Sequence, residues 1–338
     1  KKLIVNILKY LLFLLLGVFL VWLSFRKLDM HAVWNDILSA NYYWMALGIF
    51  FAVFSHVFRA LRWNLLINSM GYKTRLSSTF YAVMVGYMAN TAVPRMGEFM
   101  RCGVLARKEK IPFNALFGSV ISERLFDLLV LIMLLFLVVV TQWNLLGDFV
   151  IRMTSPFVEM LSKNFLLLTG IGVISLILLI IGIIVYMSNK HTINKLPGYK
   201  KIRELISGLS QGVRTIERMK QKGLFLFYTF MIWLFYTMMM WIPFFMLPET
   251  SRLDFMAGIT MLAIGSLGIV APVPGGVGAY HFIGKSVLVE LYNISGNTAG
   301  SFVAITHAAQ TLLNVLVGAL GYFILFFVDH KPASNEKD

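Results

Sequence analysis

This sequence predicts an all-α polytopic membrane protein, on three observations. The 338-residue chain is 58% hydrophobic and only 14% charged, against about 25% charged in an ordinary soluble domain. Apolar runs recur along it, at roughly 3–23, 42–58, 77–93, 113–140, 164–187, 224–247, 255–271, 279–292 and 301–328, and several reach the ~20 residues a helix needs to cross a bilayer. One break between them, Val273-Pro274-Gly275-Gly276-Val277-Gly278, falls inside apolar sequence rather than in a polar loop. Counting Pro272, two prolines and three glycines stand within seven residues, and no helix continues through such a stretch. Inside hydrocarbon, backbone freed in this way survives only buried in protein or lining a polar cavity. Broken helices at membrane depth are a common way to build a midplane transport site.

Composition excludes several other classes. The mean hydropathy is +0.76, and the net charge of +14 in a polytopic chain marks cytoplasmic loops rather than a nucleic-acid surface. Nucleic acid is not expected as a partner. A lone cysteine, Cys102, leaves no internal disulfide, and no Cys/His cluster has zinc-ligand spacing. No cofactor and no metal are expected, and without a nucleotide-binding motif neither is direct ATP drive.

Taken in order, the first run follows Lys1, Lys2 and Lys9 and has the look of a signal peptide. The next residues, Ser24-Phe25-Arg26-Lys27, offer no small-x-small cleavage site, which predicts a retained first helix. Trp22, Tyr42, Tyr43, Trp44, Trp143 and Trp241 lie near run ends, where interfacial aromatics belong. If every early run crossed, the basic segments 59–76 and 107–110 would face opposite sides. The conflict disappears if 77–106 enters from the cytoplasmic side, turns at Pro94 and leaves on that side. Segment 255–292 then does the same from outside, turning at 272–278. Twenty-one Lys and Arg fall inside on this layout, Arg59 and Arg62 among them, against five outside, as the positive-inside rule expects.

The sequence therefore predicts about six spanning helices and two re-entrant hairpins, with both termini cytoplasmic. They form a single transmembrane domain over 1–330, followed by a polar tail over 331–338. The two turns resemble each other, Ala92-Val93-Pro94-Arg95-Met96-Gly97 against Pro272-Val273-Pro274-Gly275-Gly276. Entry from opposite faces is the pattern of an inverted repeat, with a site where the repeats meet. Between 190 and 222, Ile202, Leu205, Ile206, Leu209, Val213, Ile216 and Met219 recur at helical spacing among basic residues. That segment reads either as a basic amphipathic helix on the inner leaflet or as a charged linker helix.

Charges inside the apolar runs are the candidates for function, because each costs roughly 2.5–3.5 kcal/mol at the centre of a spanning helix. Arg95, Glu98, Arg101, Glu123, Arg124 and Asp127 lie between 90 and 127 and sum to zero. Glu123 and Asp127 share a helix face, and Arg124 can pair with Asp127. A closed salt-bridge network and a polar cavity where arginine meets phosphate both fit this set, since the guanidinium fork donates two parallel bonds. In the last run, His307, Gln310, Thr311 and Asn314 form a polar stripe suited to a cavity or to interhelical hydrogen bonds. His281 and Lys285, four apart after the glycine turn, are placed to meet an anionic head group or, for the lysine, to snorkel.

Four motifs stand in order along nearly the whole chain. They are Arg59-Ala60-Leu61-Arg62-Trp63, then Pro94-Arg95-Met96-Gly97-Glu98 with Arg101, then Glu123-Arg124-Leu125-Phe126-Asp127, then residues 272–278. Together they resemble the flippase-like transmembrane family of the lysylphosphatidylglycerol synthases, which includes the membrane half of the multiple peptide resistance factor. The resemblance implies a plasma (inner) membrane protein that moves phospholipid between leaflets, as a flippase or scramblase and not as an enzyme, with no soluble transferase domain appended. It implies a membrane phospholipid as partner, aminoacylated or glycosylated forms included. A homo-oligomer and a separate lipid-modifying enzyme are compatible with it.

Read with the residues above, the substrate site is expected among Arg59, Arg62, Arg95, Glu98, Arg101, Glu123, Arg124, Asp127, Gly275, Gly276, Gly278, His281, His307, Gln310 and Asn314. The family often carries a glutamate three residues beyond the last glycine, where this chain has His281. That departure favours a neutral or anionic head group over a cationic one. Two other readings stay open: a membrane enzyme using a lipid-linked donor, and a secondary transporter driven by proton exchange at Glu98 or Glu123. Asp29 and Asp36 are the acids of the outer loop 24–41, and they form no adjacent pair.

Overall fold

Apolar sequence punctuated by caps and prolines folds here into helices throughout the described residues, the β-branched run Val138–Thr141 at the end of α6 included. The computed structural model describes residues 15–143, 145, 147, 155, 219–269 and 273–328. The chain divides into two compact units, residues 1–138 with 214–338 and residues 139–213; the helices below lie in the first, save the last turn of α6. The run at 164–187, most of the amphipathic segment 190–222, Pro272 and the tail 331–338 lie outside the described residues.

The helices are α1 (Leu15–Phe25), α2 (Met30–Ser39), α3 (Tyr42–Ser69), α4 (Leu76–Ala92), α5 (Gly97–Glu109), α6 (Phe113–Thr141), α7 (Lys222–Trp241), α8 (Phe255–Ile269), α9 (Ala279–Ser286) and α10 (Gly296–Phe327). Four are long and apolar enough to cross a membrane: α3, α6, α7 with its 3-10 continuation to Met246, and α10. Helix α2 replaces the loop expected at 24–41. Asp29 caps it by accepting from the backbone N–H of His31 at 2.9 Å and of Ala32 at 3.4 Å, the usual role of a short acid before a helix. Asn41 caps α3 in the same manner, and Pro243 tightens the end of α7 into a 3-10 turn.

Two ends of the bundle can be recognised from their ties. At one, Asn41 N–H donates to Met246 O at 2.9 Å, Asp29 N–H donates to Asn297 and Glu249 accepts from both N–H and Oγ of Ser295 at 2.6 and 2.7 Å. At the other, Leu66, Ile67, Leu105, Ile111, Leu116, Phe225 and Leu325 share one core, and Lys108 Nζ donates to Val328 O. Segments 70–76 and 107–111 therefore lie at the same end. Burial pushes the Glu249 carboxyl up, but hydrogen bonds from Ser295 and Thr298 and the nearby Arg252 outweigh it and leave its pKa below the ordinary glutamate value.

The broken stretches form two helical hairpins, α4–α5 and α8–α9, that open toward opposite ends. In the first, α4 and α5 approach closely at Gly86 and Gly97, where a Cβ on Gly86 would stand 2.9 Å from the Gly97 carbonyl oxygen. Asn90 Oδ1 accepts from Gly97 N–H at 2.7 Å and closes the turn.

The two turns share a backbone path. Val93 and Val273 are extended, and Arg95 and Gly275 follow their prolines with φ of 61° and 60°. Met96 N–H donates to Val93 O and Gly276 N–H to Val273 O, each at 3.2 Å. They then diverge. Met96 leads directly into α5 with φ −73°, whereas Gly276 and Gly278 take φ of 72° and 82°, conformations that cost an L side chain about 1–2 kcal/mol. The second turn thus runs one step longer before α9 begins.

Candidate functional site

Residues three and four apart on a helix share a face, so Arg59 and Arg62 of α3 meet Glu123 and Asp127 of α6 as two matched pairs. Arg59 Nη1 lies 2.7 Å from Glu123 Oε1 and 3.0 Å from Asp127 Oδ2; Arg62 Nη2 lies 3.0 Å from Glu123 Oε1 and 2.7 Å from Asp127 Oδ1. From α5, Arg101 Nη2 reaches the second oxygen of Glu123 at 2.7 Å. Arg124 turns to Glu98 at 3.1 Å and stands 3.9 Å from Asp127. Arg62 and Glu123 are fully buried, while the Arg124 side chain is 40% exposed.

This arrangement corrects the sequence reading at two points. Arg59 and Arg62 are not loop charges: α3 continues to Ser69 and carries both into the core. Arg95 does not belong to the cluster. It is exposed in the turn and makes no ion pair among the described residues. The cluster proper is four arginines against Glu98, Glu123 and Asp127, a formal charge of +1 rather than zero. The interior ion pairs offset a desolvation penalty of several kcal/mol per ion, so each depends on its partners.

The polar shell around the cluster comes from residues that the sequence did not single out. Arg59 Nε donates to Tyr236 Oη at 3.2 Å, which is 3.1 Å from Tyr87 Oη. Arg62 Nη1 donates to Thr229 Oγ1 at 3.1 Å, and Arg101 stacks on Trp63, 4.6 Å from its ring centre. Isolated tyrosines and threonines in apolar runs carry no periodic signal, although Trp63 stands in the Arg59-to-Trp63 motif. Tyr87, Asn90, Arg101 and Arg124, with Gly86 and Gly97, line a small cavity beside the cluster.

The second group gathers where the hairpin tips meet. A Cβ on Gly275 would lie 3.5 Å from the Thr91 Cα at the end of α4, so the tips are in contact. His307 Nε2 donates to Gly275 O at 3.0 Å, and the His307 ring is 4.8 Å from that of His281. His281 Nδ1 accepts a long 3.4 Å bond from Gly278 N–H. Gly278 packs against Gly17 and Leu20 of α1, whereas Gly276 has open space around it. Gln310 and Asn314, one and two turns further along α10, bury Nε2 and Oδ1 with no hydrogen-bond partner in the described structure. Lys285 leaves this group and donates to Ser24 O at 2.6 Å. The structure thus makes two assemblies from the expected residues: an ion-pair cluster on the first hairpin, and an imidazole–amide stripe at the tip of the second. Among the described residues no group of three His, Cys, Asp or Glu could hold a metal ion.

Comparison with known proteins agrees with this architecture. The UPF0104 membrane protein MJ1595 of Methanocaldococcus jannaschii is 28% identical over 94 residues, covering 27% of this chain and 28% of that protein. The match thus spans little more than a quarter of that relative. No solved structure matches the chain. The family described as the lysylphosphatidylglycerol synthase TM region matches residues 6–318, nearly the whole length, and this integral membrane protein belongs to that family.

Proposed function

We propose that this chain moves a phospholipid between the two leaflets of the plasma membrane and is not itself an enzyme. The observation that carries the reading is the meeting of two hairpin tips, Gly275 against Thr91, part-way along α10. His307 lies eleven residues into that helix, roughly 17 Å along its axis. Helix α4 has 17 residues, α5 13 and α8 15. At 1.5 Å per residue none reaches the ~30 Å of a hydrocarbon core, which supports hairpins that enter and leave on one side. Their opposite openings and shared turn geometry support an inverted repeat with the substrate path at its centre. Without the buried Arg59 and Arg62, the basic residues still divide 19 to 5 between the two sides, which supports cytoplasmic termini.

Nothing in the geometry favours the rival readings. Asp29 caps α2 and Asp36 accepts from Ser301 Oγ at 3.0 Å, so the outer acids are engaged in structure. Glu98 and Glu123 are both paired to arginine. The test is reconstitution in liposomes carrying a fluorescent phospholipid, read with a leaflet-selective quencher. Wild-type protein is expected to expose the shielded leaflet far faster than protein-free vesicles, and a folded Gly275→Ala/Gly276→Ala variant is expected to lose most of that rate. Wild-type vesicles indistinguishable from empty ones would sink the reading; full activity in the double variant would remove the glycine turn from it.

A further inference from the structure

We infer that His281 is a proton-binding latch: neutral, it holds the glycine turn onto α9, and on taking a proton at Nδ1 it lets the turn go. The latch draws its purpose from the transport reading, but it stands on hydrogen bonds that fix where each imidazole carries its proton. A backbone N–H only donates, so the bond from Gly278 N–H needs a lone pair on His281 Nδ1 and leaves that ring's proton on Nε2. A carbonyl only accepts, so the bond to Gly275 O places a proton on His307 Nε2. Two neutral rings thus grip one turn from two helices.

His281 fills a place that Glu or Gln takes in a capping box, where the third helical side chain reaches back to the backbone N–H of the capping residue. Gly278 is the N-cap of α9 and His281 its third residue, while the Gly278 carbonyl accepts from Phe282 N–H at 2.8 Å. Protonation reverses the acceptor. His281 Nδ1–H would then face Gly278 N–H, donor against donor, and leave a buried N–H without a partner, the costly way to lose a hydrogen bond. The new charge would also stand at the N-terminal end of α9, where the helix dipole opposes a cation. His307 meets no such conflict, because its Nε2–H keeps Gly275 O whether or not Nδ1 is protonated. The docked turn therefore has room for one proton, and the freed turn for two.

The surroundings offer no compensation. His307 and Tyr280 are the titratable rings beside His281, with centres 4.8 and 6.3 Å away, and the Phe25 ring of α1 covers it at 5.8 Å. The other ionisable residues of α1, α4, α8, α9 and α10 are Tyr81, Tyr87, Tyr322 and Lys285, with no Asp or Glu among them. Lys285, one turn on, is a cation tied to Ser24 O. A charge on His281 would thus find no carboxylate on any of these helices, and a charge on His307 would repel it. Once freed, the turn can move: Gly275, Gly276 and Gly278 all hold positive φ, and Gly276 has open space around it.

Hydrogen exchange reads the turn directly. In the full chain in detergent, the amides of residues 276–278 are expected to be protected at about pH 7.5 and to lose about tenfold in protection at about pH 5.5, after correction for the intrinsic rate. Tenfold is what one proton gives one unit below the free imidazole value of about 6.5. His281→Gln keeps a neutral acceptor at the same helical position and is expected to hold its protection at both pH values. His307→Gln, which leaves His281 in place, is expected to keep the loss. A wild-type turn that ignores pH, or an equal loss in His281→Gln, would overturn the inference. Should His281→Gln fail to fold, the wild-type profile decides: the loss must set in as pH falls through about 6.5, and one that begins only in the carboxylate range, below about 5, would overturn the latch. Because the readout is conformational, the latch and the transport reading fall separately. A turn indifferent to pH in a protein that moves lipid would fell the latch alone; a pH-dependent turn in a protein that moves none would fell the transport reading alone.

Discussion

Arg95 holds φ 61° where its counterpart in the other hairpin is Gly275 at 60°. An L residue pays about 1–2 kcal/mol for that conformation, and such strain persists where the side chain is needed. Arg95→Gly is therefore expected to leave thermal stability in detergent unchanged or raised by up to about 1 kcal/mol, while lipid transport falls several-fold. Glu123→Gln is expected to behave oppositely. It strips Arg59, Arg62 and Arg101 of a shared counter-ion and should cost roughly 3–5 kcal/mol, with activity lost in proportion to folded protein. Transport at wild-type rate by Arg95→Gly would count against a role for its side chain. At this scale the sequence was partly legible. The spacing of Glu123 and Asp127 gave their common face, but no local pattern ties Arg59 to a carboxylate 64 residues away. The charge of Arg59 and Arg62 also made α3 look as if it ended at 58. Tyr87 and Tyr236 had no signature, because their bond joins helices 149 residues apart.

The elements were easier to read, since hydrophobic runs and prolines are local signals. The first hairpin, Leu76–Glu109, stands within three residues of its expected bounds, and the second begins at Phe255 as expected and reaches Leu291 through the π-helical turn Val287–Leu291 that follows α9; the likeness of their turns extends to dihedral angles and hydrogen bonds. Helix α2 escaped notice: at ten residues, amphipathic and beginning at an acid, it passes for a polar loop until Asp29 is seen as its cap. Close packing within the first hairpin gives a contrast on a single helix. Gly97→Ala would drive a Cβ into the Gly86 carbonyl and the Asn90 amide, whereas Gly103 has nothing within 4 Å. The first substitution is expected to destabilise by about 1–3 kcal/mol. The second should stabilise by up to about 1 kcal/mol, as alanine does in an open helix position. Chemical denaturation in mild detergent measures both, and a neutral Gly97→Ala would mean that the arms can part without loss.

For the whole molecule the decisive feature is that the hairpins open toward opposite ends, which places segments 70–76 and 107–111 together. In a background lacking Cys102, Lys73→Cys and Lys108→Cys are expected to resist an impermeant thiol reagent in intact cells, and Ser251→Cys to react. Labelling of Lys73→Cys and Lys108→Cys from different sides would contradict the layout. The clasp of Glu249 on Ser295 adds a pH dependence at the reactive end. Because the folded carboxyl titrates below its ordinary value, the contact is fully present above the unfolded pKa and is lost as pH falls through the folded one.

The interior cluster also has a consequence in time. Arg62 precedes Glu123 by 61 residues, which at roughly 5–20 residues per second is about 3–12 s of synthesis. During that interval α3 carries two guanidiniums whose partners do not yet exist, at an insertion cost of roughly 2.5–3.5 kcal/mol each. Helix α3 is apolar enough to enter lipid, but its two arginines make it less stable there by itself than beside α6. Their counter-ions come only once α6 has been made, so α3 and α6 are expected to settle in the bilayer together.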